Sequence, residues 1–327
     1  MNSITRRQLL VGVGTLFVAR LALAMPYATP VQSSDIWRAE WHDAKRNRNV
    51  PVKIYFPKGN GPFPVIMFSH GLGGTREMYQ YLGSYWAAHG FVAVHLQHIG
   101  SDDSVWRGGV DRQNLMGAMS SKNALDRVRD VSFAIDQLQS LNNTQTWPLH
   151  GKLDLSHIGM AGHSFGANTT LMVSGLKLPM GGNSVSDPRI KCAIAMSSPS
   201  PVLKNYNVIY GGIKIPMFHM TGTQDVSPVD RNGTTPLDRR LPYDHIRGAD
   251  AYLTTFAGGD HMVFSGRSRP TGAVASDERN HLLIQESSTA FWDAYLKGDA
   301  KAMAWLHTDF AKELGVNGVF EQKVGKG

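Results

Sequence analysis

The chain has 327 residues, of which 42% are hydrophobic and 18% charged. That is enough to bury a large core, and it excludes a disordered or fibrous protein. The formal charge of +7 is scattered, and setting aside Arg6, Arg7 and Arg20 leaves 30 basic residues against 26 acidic, so neither a nucleic acid nor a polybasic membrane contact is expected. The single cysteine, Cys192, excludes an internal disulfide.

Residues 1–24 open with Arg6-Arg7, continue through an apolar run over 9–19 and end on Ala22-Leu23-Ala24. A charged start, a short apolar middle and a small-residue cleavage site predict an export signal of the twin-arginine type, too short to span a bilayer. The product is then periplasmic or secreted, without a membrane anchor, and residues 25–327 form one domain.

Residues 36–42 and 50–56 alternate with period two and predict an antiparallel hairpin. Residues 62–69 are a short apolar strand leading into His70-Gly71-Leu72-Gly73-Gly74. Apolar and aromatic residues at helical spacing over 76–89 (Met78, Tyr81, Leu82, Tyr85, Trp86) precede another strand at 91–96. Strand, helix, strand is the crossover unit of a parallel sheet. Residues 97–121 are polar and aperiodic and read as a loop or small lid. A helix over 124–141 presents Val128, Val131, Ile135 and Leu138 on one face.

An apolar strand then runs from Ile158 into Gly162-His163-Ser164-Phe165-Gly166, and small apolar residues resume as a helix. This is the Gly-x-Ser-x-Gly elbow, whose tight strand-to-helix turn lifts a serine hydroxyl above the sheet. With 34 glycines in the chain, such a pentapeptide arises by chance roughly a quarter of a time, so its partners decide its meaning. Further strands are predicted at 190–196, holding a buried Cys192, at 215–220 and at 251–256. A last helix follows at 284–296, and irregular excursions fall at 199–212 and 226–250.

Ligands of an open parallel sheet bind at the carboxyl ends of its strands. Four such ends carry His70-Gly71-Leu72, Ser164, Asp225 and His261. A serine hydroxyl needs a base, and the base needs a carboxylate to fix its tautomer. Ser164 as nucleophile, Asp225 as acid and His261 as base occur in the order of such enzymes. Asp230 lies further from a strand end, and Asp260 adjoins His261, where neighbouring side chains diverge. The backbone N–H groups of Phe165 and Leu72 are the expected donors to an oxyanion, and His70 is read as holding that loop by hydrogen bonding. His95, His98, Asp102 and Asp103 match no metal-ligand spacing, so no metal and no cofactor are expected.

On Phe68-Ser-His-Gly-Leu-Gly73, Ala88-His-Gly-Phe-Val92 and Gly162-His-Ser-Phe-Gly166, the chain resembles α/β-hydrolases grouped around the plasma and type II platelet-activating factor acetylhydrolases and the bacterial predicted dienelactone hydrolases. The resemblance covers about residues 50–264. It implies the α/β-hydrolase fold, a mostly parallel sheet with helices on both faces and lid-like insertions at the strand ends. It also implies a triad of Ser164, Asp225 and His261 with oxyanion donors Leu72 and Phe165. Dienelactone hydrolases proper carry a cysteine nucleophile where this chain has Ser164. The expected activity is hydrolysis of a small-molecule carboxylic ester, with a short acyl group, through an acyl-enzyme on Ser164. Lactone, amide or polyester cleavage on the same fold, or a non-catalytic binding protein, are the alternatives. Segments 97–121, 199–212 and 226–250 match nothing and leave the substrate open.

Overall fold

The computed structural model describes residues 27, 32–107, 109, 111–178, 185–201, 204–226, 234–266 and 275–323. The predicted export signal and the competing Asp230 lie outside them. The hairpin is β1 (Ser34–Asp43) and β2 (Arg48–Pro57), and the apolar runs become β3 (Phe63–Ser69), β4 (Val92–Leu96), β5 (Leu153–His163), β6 (Ile190–Met196), β7 (Met217–Gln224) and β8 (Ala251–Asp260). With β9 (Gly318–Lys323) they form one sheet in the order β1-β2-β4-β3-β5-β6-β7-β8-β9. β3 through β8 run parallel to one another, while β1, β2 and β9 pair antiparallel at the two edges.

Side chains alternate across a strand, so each central strand feeds two cores. Val65 and Met67 of β3 face Val128, Val131, Ile135 and Leu138 of α3 (Ser121–Asn142) and Leu171 of α4 (Phe165–Val173). Ile66 and Phe68 face the other layer, with Leu82 and Trp86 of α1 (Gln80–Ala88) and Phe291 and Trp292 of α7 (Ala275–Leu296). Cys192 is buried in this second core, which pushes its thiol pKa well up. Helices thus cover both faces, as the alternation of elements predicts.

The structure departs from the sequence reading in several places. α1 begins at Gln80 rather than near Arg76, because Tyr79 takes left-handed backbone (φ 60°) and stops the helix there. The insertion after β4 is partly ordered: a 3-10 turn (Asp103–Trp106) and α2 (Arg112–Ala118) enclose a small core of Val105, Leu115 and Ala118. The later excursions hold α5 (Tyr206–Tyr210), a 3-10 turn (Pro236–Arg240) and α6 (Leu241–His245). Beyond α7 the chain continues through α8 (Ala300–Thr308, capped by Asp299) and α9 (Phe310–Leu314) into β9, where the sequence reading places nothing. No helix among the described residues is long and apolar enough to cross a membrane.

α7 carries one electrostatic fault. Glu286 is buried, and neither carboxylate oxygen has a hydrogen-bond partner among the described residues. Burial lifts its pKa to about 7, against the opposing pull of Arg279. A folded-state pKa above the unfolded value means that the stability is present while the group is protonated and is lost as pH rises towards 7. Glu286→Gln is therefore expected to match the wild type near pH 5 and to exceed it by about 2 kcal/mol near pH 8, read by urea unfolding. An equal offset at both pH values would contradict this.

Candidate active site

β5 ends in the elbow. Ser164 sits at φ 56° and ψ −117°, a strained conformation for a residue with a Cβ. Its amide donates to the Met196 carbonyl at 2.9 Å, which anchors the turn on β6. The two flanking glycines are required by space. A Cβ at Gly162 would overlap the Gly166 carbonyl, and one at Gly166 would overlap the Ser69 carbonyl at the end of β3. Position 166 therefore sets how closely α4 approaches the loop His70 to Gly74.

β7 and β8 bring the other two residues together. Their register shifts between Gly222 and Gln224, and a Cβ at Gly222 would strike the backbone of Gly259. That close approach pairs Gln224 with Asp260, so Asp225 and His261 emerge side by side one residue later. His261 Nε2 lies 2.9 Å from Ser164 Oγ, and its Nδ1 lies 3.0 Å from Asp225 Oδ1. An ionised Asp225 accepts only, so Nδ1 carries the proton and Nε2 is left to accept from the serine.

Asp225 is fully buried and well supplied with donors. Ser197 Oγ donates to Oδ1 at 2.8 Å and Thr221 Oγ1 to Oδ2 at 2.9 Å. Burial alone would raise its pKa, but the bond and charge of His261, the charge of Arg239 and the Ser197 bond outweigh burial and hold the carboxyl below its usual range. Asp260 stays out of this network. Its Oδ1 caps the following turn by accepting from the amides of Met262 (2.9 Å) and Val263 (3.0 Å).

The loop after β3 lies against the elbow, since a Cβ at Gly71 would stand 3.4 Å from the Ser164 Cβ. Among the described residues, the N–H groups of Leu72 and Phe165 make no hydrogen bond, so both are available as donors beside Ser164. His70 is buried with both ring nitrogens committed to backbone: Nδ1 donates to the Gly71 carbonyl (2.6 Å), and Nε2 accepts from the His98 amide (3.0 Å). His95 and His98 do not converge on a common point. His98 bonds Asp130 (2.9 Å) and Ser69 (2.8 Å), whereas His95 Nδ1 lies 3.2 Å from the Met78 carbonyl.

Four further residues hold the site, and sequence reasoning does not find them. Ser197 follows β6 in left-handed backbone (φ 53°), and its Oγ lies 2.7 Å from His261 Nδ1 as well as bonding Asp225. His163, inside the pentapeptide, donates from Nε2 to the His261 carbonyl at 2.9 Å and accepts at Nδ1 from the Tyr79 hydroxyl at 2.9 Å. Burial, reinforced by the nearby His261, lowers the His163 pKa to about 3, so it remains neutral and keeps this pattern. The Tyr79 hydroxyl also accepts from the Gly71 amide at 3.3 Å, which links the histidine loop to the loop after β3. Arg239, from the insertion after β7, donates to the carbonyls of Asp225 (3.3 Å) and Ser198 (3.1 Å). Only Ser197 and His163 sit next to a visible signal, as neighbours of a predicted strand end or motif.

The sheet order, with an elbow after β5 and the loops bearing Asp225 and His261 after β7 and β8, defines the α/β-hydrolase fold. More particularly, a model of the family described as Chlorophyllase matches residues 29–180. The chain is also similar to platelet-activating factor acetylhydrolases. The one from Cavia porcellus is 27% identical over 294 residues, covering 78% of this chain and 63% of that protein. The one from Canis lupus familiaris is 24% identical over 241 residues, covering 65% and 50%. The chain therefore spans less than two thirds of the length of these curated relatives.

Proposed function

We propose that the protein is an exported serine esterase that hydrolyses small carboxylic esters with a short acyl group. The observation that carries this reading is the continuous path from Ser164 Oγ through His261 to Asp225, at 2.9 and 3.0 Å, with the serine lifted on a strained turn. Ser164 attacks the ester carbonyl while His261 Nε2 takes its proton, and the imidazolium is stabilised by Asp225. The N–H groups of Leu72 and Phe165 receive the charge that develops on the carbonyl oxygen. His261 then returns the proton to the leaving alkoxide, and water, activated by the same ring, hydrolyses the acyl-enzyme. All of these roles are supplied by side chains and backbone, with no cofactor.

The acyl preference draws on the similarity to proteins named acetylhydrolases. Export draws on the paired arginine, apolar run and small-residue end of residues 1–24.

A fluorophosphonate probe is expected to label Ser164 alone. Across a panel of p-nitrophenyl acetate, butyrate and octanoate, a lactone, an anilide and a polyester film, turnover is expected to be fastest on the two short esters. No labelling of the intact protein would point instead to a binding protein, and faster cleavage of the anilide or film would displace the ester reading.

A further inference from the structure

We propose that Arg127, on α3 and outside the reacting groups, is the positioning residue that locks both halves of the oxyanion hole to one planar cation. The inference rests on the esterase reading above and assigns a part of that site which neither motif nor spacing shows. Arg127 is completely buried. Among the described residues it forms no ion pair with a carboxylate. The acids nearest in influence are engaged elsewhere: Asp130 with Arg46, Arg48 and His98, and Asp102 with Gln97 and Ser104.

A buried cation without a contacting carboxylate is costly unless hydrogen bonds compensate it. Here neutral oxygens do so, and they belong to the segments that make up the oxyanion hole. Nη2 donates to the His70 carbonyl, two residues before Leu72. Nε donates to Thr169 Oγ1 at 3.0 Å, and that hydroxyl in turn donates to the Phe165 carbonyl at 3.1 Å. The guanidinium carbon lies 4.6 Å from the centre of the Phe165 ring. Nη1 donates to Ser101 Oγ at 2.9 Å, while the Ser101 carbonyl accepts from the Gly73 amide at 2.9 Å. One rigid fork therefore fixes the loop bearing Leu72 from two sides and the first turn of the helix bearing Phe165.

Oxyanion donors act by being fixed before charge develops, so slack between the two loops removes their effect. A lysine in this place keeps the charge but offers no fixed fork. Its single ammonium cannot hold three diverging oxygens.

The test compares the wild type with Arg127→Lys, Arg127→Met, Thr169→Val and Ser101→Ala on p-nitrophenyl butyrate, each also titrated with a trifluoromethyl ketone that forms a tetrahedral adduct with Ser164. Both Arg127 variants are expected to lose about 100-fold in kcat, with KM within about threefold, and to bind the ketone more weakly by a similar factor. Arg127→Lys failing to restore kcat is part of the expectation. Should the Arg127 variants not fold, Thr169→Val and Ser101→Ala each remove one anchor and are expected to cost about tenfold in kcat at unchanged melting temperature. Folded variants with wild-type kcat and ketone affinity, or with losses confined to KM or melting temperature, overturn the inference. An inactive wild type that no phosphonate labels overturns the esterase reading and this inference with it, whereas an active wild type with indifferent variants overturns this one alone.

Discussion

Ser164→Ala is expected to lower turnover of p-nitrophenyl butyrate by about 10⁵-fold or more, with circular dichroism and melting temperature close to those of the wild type. Among the described residues the Oγ makes one hydrogen bond, with His261 Nε2, and its removal leaves the elbow backbone in place because the Ser164 amide still bonds the Met196 carbonyl. What remains is the N–H pair of Leu72 and Phe165, which can still polarise a bound carbonyl but cannot form an acyl-enzyme. The variant should therefore also lose the pre-steady-state burst of nitrophenolate. A purified variant that retains a tenth of wild-type turnover would show that another group attacks the ester.

Asp225→Asn should cost about 10⁴-fold in kcat while the fold persists. The carboxylate accepts from His261 Nδ1, Ser197 Oγ and Thr221 Oγ1 at once. An amide has only one acceptor atom to offer those three donors. Turning its NH₂ towards the ring reverses the tautomer and places a proton on Nε2, which faces Ser164 and can no longer accept. Ser197→Ala is the contrast, since it removes a donor to Asp225 but leaves the Asp225 to His261 bond. Its expected loss is no more than about tenfold. Measured kcat values for the two variants within threefold of each other would argue that the tautomer is held by something other than Asp225.

The fold is legible where burial leaves a direct mark on sequence. Central parallel strands must be apolar on both faces, and β3 to β8 stand out as short apolar runs for that reason. The region after residue 296 is silent because β9 is an edge strand with no fully buried residue, and the helices before it are short. Helix starts are less legible than strands: the apolar stripe places this helix from 124, whereas the Ser120 cap starts α3 at Ser121. They are unreadable when a left-handed residue such as Tyr79 sets them, because its conformation depends on packing elsewhere.

The site divides in the same way. Ser164, Asp225, His261 and Leu72 each follow a strand, so the sheet itself brings them to one edge and the sequence can point to them. Asp260 could be set aside on adjacency, and its carboxylate indeed turns to cap residues 262 and 263. Arg127, Arg239 and Tyr79 reach the site from a helix face, an insertion and a helix start. Their roles exist only once distant segments are packed together, and no local pattern records them.

The insertion after β4 bears on how such a protein can be altered. Leu72 packs against Val105, Leu115 and Ala118, while Trp106 covers Gly73 and donates from Nε1 to its carbonyl at 2.9 Å. The segment after β4 is thus also a wall of the loop that bears Leu72. On the esterase reading proposed above, grafting a foreign loop there would alter selectivity and rate together, and the same holds after β7, where Arg239 donates to the carbonyls of Asp225 and Ser198, which leaves the excursion after β6 as the freer place to change.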